Sequence, residues 1–86
     1  MRPIQEETEQ TLKERIHKTI VRALRIPPSH TSTPLRMGST PGWDSMGHMM
    51  VVMELEKEFG AQFPPYVLPL LVDIPSIART LQSQKQ

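Results

Sequence analysis

Asp44-Ser45 is the pair in this chain whose types and position could do chemistry: a hydroxyl beside a carboxylate, at the point where a helix starts. Pro41-Gly42 is a turn dipeptide, and Asp44 or Ser45 supplies the short polar side chain that opens a helix by accepting a hydrogen bond from an otherwise unpaired backbone N–H. Gly60 can adopt the left-handed conformation that ends helices, so the spacing predicts a helix of roughly 15 residues from about residue 45. Catalysis through Ser45 would need a base within reach of its proton. His48 falls on the core side of the helix, so Ser45, His48 and Asp44 are not expected to make a triad. Glu54, Glu56 and Glu58 read as a solvated charge run and not as a positioned acid pair. His17 lacks support, and no second ligand stands at metal-site spacing from His30, which reads as a solvated loop histidine. No catalysis by the chain itself is expected.

The helix that carries Ser45 has two apolar faces. Val51, Val52, Leu55 and Phe59 share one side with His48, and Met46, Met49, Met50 and Met53 share the other, with Lys57 continuing their line. A helix in a chain of 86 residues does not readily bury both. Branched and aromatic side chains specify a fixed core, whereas flexible thioethers suit adaptable surfaces, so the Val/Leu/Phe face is expected inward and the Met face outward. The opposing possibility is a tight bundle that buries both.

Three further elements must position this helix. From about residue 5 to 25, Leu12, Ile16, Thr19, Ile20, Ala23 and Leu24 follow one helical stripe, with Glu6, Glu7 and Glu9 near the start and Arg22 and Arg25 near the end, each sign matching the local helix dipole. Pro27-Pro28 stops that helix. Residues 26 to 44 form a long Pro/Ser/Thr/Gly-rich connection, anchored inward by Leu35 and Met37 and expected to pack on the bundle. After Gly60, Phe63 should dock its ring in the core, and Tyr66 to Leu71 has room for a turn or two of helix interrupted by Pro69. Asp73 reads as the cap of a last helix, with Pro75 in its first turn and Ile77, Ala78 and Leu81 facing inward. The tail from about residue 82 is expected to fray. The fold class is all-α: a four-helix bundle with a long first loop and a short third helix.

Composition narrows the function classes. The chain is of a size for one small domain and has no cysteine, so disulfides and thiolate zinc sites are excluded and stability rests on helix packing. No apolar run of about 18 residues or secretory signal is read, and a cytoplasmic monomer is the expectation. Residues 1–43 hold seven Lys/Arg against four Glu, a balance of +3, and residues 44–86 hold three against five acids, a balance of −2. The basic residues are interleaved with Glu and lack partnered aromatics, which favours a solvated helix face over nucleic-acid binding.

Asp44-Ser45-Met46, the Met/Val run behind it and Glu54-Leu55-Glu56-Lys57-Glu58-Phe59-Gly60 together resemble the acyl carrier protein family, whose attachment motif is Asp-Ser-Leu. The likeness spans approximately residues 12 to 81, and Asp73-Ile74-Pro75-Ser76-Ile77 has the shape of the family's last helix start. The resemblance implies a covalent 4′-phosphopantetheine arm on Ser45, with Asp44 as the adjacent motif acid that helps the modifying transferase. It implies a phosphopantetheinyl transferase and acyl-loading, condensing or acyl-transferring enzymes as partners, in a specialised acyl, polyketide or related pathway. A helix N-terminus suits an attached phosphodiester, because its unpaired N–H groups and positive dipole end favour negative charge. Where the family commonly carries acids on the exposed face of this helix, the chain has Gly47, Met50 and Lys57, and only Glu56 remains beside that face. Met46, Met49, Met50, Met53, Glu56 and Lys57 are thus the candidate partner-binding residues. The competing class is a non-catalytic helical interaction module that grips an amphipathic partner with the Met face.

Overall fold

The computed structural model describes residues 8–27 and 34–84, and among these it is helical with no strand. The elements are α1 (Glu9–Leu24), α2 (Ser45–Phe59), a 3-10 helix (Pro65–Leu70) and α3 (Ile74–Ser83). His30 and the acids Glu6 and Glu7 lie outside the described residues.

Helix α1 begins at Glu9, later than periodicity alone suggests, because Thr8 is extended and its hydroxyl accepts from the Thr11 N–H at 3.1 Å. The inward stripe is Leu12, Ile16, Thr19 and Ile20. Thr19 is buried at no polar penalty because its hydroxyl donates to the Arg15 carbonyl at 2.8 Å. Arg25 ends the helix at φ 54°, a left-handed conformation unusual for a non-glycine, and sends Ile26 into the core.

Helices α1 and α2 are antiparallel. Arg15 in the middle of α1 meets Glu58 near the end of α2 at 3.3 Å, and Arg22 near the end of α1 meets Glu54 and Glu58, each at 3.4 Å. The Arg15 guanidinium also lies 4.5 Å over the Phe59 ring. This corrects the reading of Glu54 and Glu58 as a solvated run: they are cross-helix partners of α1. Part of the charge asymmetry between the two halves is thereby paired across the surface between α1 and α2. Each pair is partly exposed and stabilises by only about 0.2–1 kcal/mol, so the pairs set register more than stability.

Leu12, Ile16, Ile20, Val51, Val52, Leu55, Phe59, Phe63, Leu71, Ile77, Ala78 and Leu81 form the core with Ile26, Leu35 and Trp43. The Val/Leu/Phe face of α2 points inward as periodicity requires. Gly60 is left-handed at φ 61°, and the following chain is tied back by Glu56, whose carboxylate accepts the Phe63 N–H at 2.9 Å.

The connection into α2 is pinned and turn-rich. Leu35 is buried, the Met37 N–H donates to the Val72 carbonyl at 2.8 Å, and Arg36 forms an isolated antiparallel bridge with Asp73. Asp73 caps α3 through a complete capping box: its carboxylate accepts the Ser76 N–H at 3.0 Å while its own N–H reaches Ser76 Oγ at 3.2 Å. Hydrogen bonds from Ser76 hold the Asp73 carboxyl below its ordinary value against an opposing effect of burial, with smaller help from the nearby Arg36 and Arg79 charges. Helix α3 runs to Ser83 with Gln84 as its cap, somewhat past the point where fraying is expected.

Candidate functional site: the start of helix α2

Asp44 is the cap of α2 and Ser45 its first residue, which resolves the alternative left open by the sequence. The Asp44 carboxylate accepts the Gly47 N–H at 2.8 Å, and its carbonyl accepts the His48 N–H at 2.7 Å. Ser45 is exposed, and as the first helical residue it has no carbonyl four positions back within the helix for its N–H to meet. The first turn of α2 contains no acidic residue, so the field there is that of the helix end and of the capping Asp44.

Beneath this exposed serine the chain is locked. Trp43 is the largest fully buried side chain, only 1% exposed. Its N–H donates to the Thr40 carbonyl at 3.0 Å, and its carbonyl accepts the Gly38 N–H at 2.9 Å. Its indole Nε1–H donates to His48 Nδ1 at 2.9 Å, and the two rings are near-parallel with centroids 6.1 Å apart. Indole can only donate, so His48 Nδ1 is an acceptor without a proton and Nε2 carries one. That Nε2–H is 2.8 Å from the Leu68 carbonyl of the 3-10 helix. His48 is thus a buried ring with both nitrogens partnered.

Gly42 and Gly47 bring the loop and helix into direct backbone contact. A Cβ on Gly47 would collide with the Gly42 carbonyl oxygen and sit 3.0 Å from its carbon and 3.1 Å from Leu24 Cδ2. Gly42 itself has φ 84°, which disfavours any side chain. Gly47 therefore has a packing reason to be glycine.

The methionine face points outward: Met46, Met49, Met50 and Met53 are 81%, 51%, 49% and 58% exposed. Lys57 is exposed on the same line, and Glu56 is partly exposed with one oxygen committed to the Phe63 N–H. Sequence periodicity left Trp43 without a role, since it precedes the helix. The spacing that identifies it is that of a hydrophobic staple, a residue just before the cap packing on the fourth helical residue, here Trp43 on His48.

Among the described residues no group of three His, Asp or Glu side chains could hold a metal ion, and no helix is long and apolar enough to cross a membrane. No protein-family model matches the chain, and no curated protein matches it significantly.

Proposed function

We propose that the chain is an acyl carrier protein whose 4′-phosphopantetheine arm is attached to Ser45. The observation that carries the reading is an exposed serine at the first position of an N-capped helix, seated on a buried Trp/His anchor within a helical bundle that has a long first loop. That arrangement suits the group: the hydroxyl is accessible, and unpaired first-turn N–H groups favour an adjoining phosphate. Attachment forms a Ser45 Oγ–P bond as the pyrophosphate P–O bond of coenzyme A breaks; adenosine bisphosphate leaves and the hydroxyl proton passes to the transferase. The arm's terminal thiol would carry the acyl cargo as a thioester. The chain's own part is to hold the attachment point still and present a docking face. Asp44 orders the helix start through Gly47, and Met46, Met49, Met50 and Met53 offer apolar docking area flanked by Lys57, with Glu56 beside it. Partners on this reading are a phosphopantetheinyl transferase and acyl-loading, condensing or acyl-transferring enzymes.

The exposed methionines also favour a second reading, a non-catalytic module that binds an amphipathic partner without modification. Intact mass after co-expression with a phosphopantetheinyl transferase separates the two. The carrier gains one arm and Ser45→Ala, folded, gains none; a wild-type chain that stays unmodified favours the module, and a modified Ser45→Ala chain refutes Ser45 as the attachment site.

A further inference from the structure

We infer that Trp43 and His48 are positioning residues for Ser45: together they staple the start of α2 so that the hydroxyl is presented from a fixed backbone. This rests on the carrier reading for what Ser45 does, and on geometry alone for how it is held. Helix starts are prone to fray, because the first N–H groups have no partner within the helix. Here the residues two before and three after Ser45 are joined across the helix start by the 2.9 Å bond between indole Nε1 and imidazole Nδ1. Both ends of that staple are anchored elsewhere, Trp43 through Thr40 and Gly38 and His48 through the Leu68 carbonyl. Ser45 can neither unwind into the loop nor shift along α2 without breaking a buried hydrogen bond. Breaking it leaves a desolvated donor or acceptor unpaired. Reactions that depend on a hydroxyl meeting a bound phosphate are sensitive to displacements of about 1 Å, so holding Ser45 is where the staple acts on chemistry.

The first test uses the unaltered chain. Nitrogen NMR of His48 should show the proton on Nε2 and none on Nδ1, and the Trp43 indole N–H should exchange slowly; a proton on Nδ1 overturns the inference. The second uses Trp43→Phe, His48→Leu and His48→Gln, each assayed where circular dichroism shows it folded. In the first two, exchange at the Gly47 and His48 amides should quicken about tenfold while the Leu55 amide is unchanged. With a phosphopantetheinyl transferase and coenzyme A, their kcat as protein substrates should fall about tenfold or more with KM within about twofold. His48→Gln should recover much of this, since an amide can accept on oxygen and donate on nitrogen. A merely structural role would loosen all helices alike and leave the kcat of the folded population untouched. Folded Trp43→Phe or His48→Leu with wild-type exchange and wild-type kcat overturns the inference; should one variant not fold, the other and the unaltered chain decide. If the wild-type chain is never modified, the attachment reading fails, and exchange at Gly47 and His48 alone then decides whether the staple holds the helix start.

Discussion

Replacing Gly47 with alanine sets two physical effects of opposite sign against each other. On an unobstructed helix the change stabilises by up to about 1 kcal/mol, because alanine has less backbone freedom to lose. At Gly47 the new methyl collides with the Gly42 carbonyl oxygen and stands only 3.0 Å from the carbonyl carbon. The obstacle is backbone, and Gly42 is held on one side by the turn and on the other by Trp43, whose N–H, carbonyl and indole are all bonded. Relief requires the loop or the helix start to move, at the roughly 1–3 kcal/mol typical of overpacking. The net expectation is a loss, of up to about 2 kcal/mol once the full helix gain is subtracted. In urea this lowers the unfolding midpoint by up to roughly 1 M for the slope usual in small proteins. Trp43 is the chain's single tryptophan, so its fluorescence reports both unfolding and any native-state shift of the loop it anchors. A Gly47→Ala protein as stable as wild type, or more so, would refute the close approach and the packing argument built on it.

Leu55→Ala should destabilise by about 2–5 kcal/mol in urea unfolding, as Leu55 is wholly buried in the core; a change below about 0.5 kcal/mol would mean the helix is rotated from its described orientation. Asp73→Ala removes the cap of α3 and should cost about 1 kcal/mol at neutral pH. The Asp73 carboxyl titrates lower in the folded chain than in the unfolded one, so its contribution is complete above the ordinary carboxylate range. It should fade as acid carries the pH down through the depressed value, and urea midpoints of wild type and Asp73→Ala should converge there. If the methionine face docks partners as proposed, affinity for a cognate partner should change little across a salt series and fall with Met50→Glu. A steep salt dependence with Met50→Glu binding unimpaired would show that charge, and not the methionine face, governs docking.

Much of the fold was legible because its determinants are local. The bounds of α2 follow from Asp44 and Gly60, and α3 follows from Asp73, Pro75 and the Ile77/Ala78/Leu81 stripe. Each of these signals involves residues no more than a few positions apart, close enough for a cap or one helical face to be read directly. The inward turn of Val51, Val52, Leu55 and Phe59 and the outward turn of the methionines followed from periodicity and side-chain chemistry in the same way. The Trp43–His48 staple was legible in principle, but only once Asp44 and not Ser45 is known to be the cap, since a cap shifted by one residue changes which residues should pair.

Tertiary structure alone decided the rest. Glu58 finds Arg15 across 43 positions of sequence and Glu54 finds Arg22 across 32, because docking α1 antiparallel to α2 brings those turns together. Helical periodicity says which residues share a face but not which turn of another helix lies opposite. The acceptor for His48 is a main-chain carbonyl, that of Leu68, and every residue carries one, so side-chain identity gives no sign of it. The resemblance marks Gly47 only as a position where an acid would be usual, and it is the path of the loop past Gly42 that reveals that a side chain there has no room.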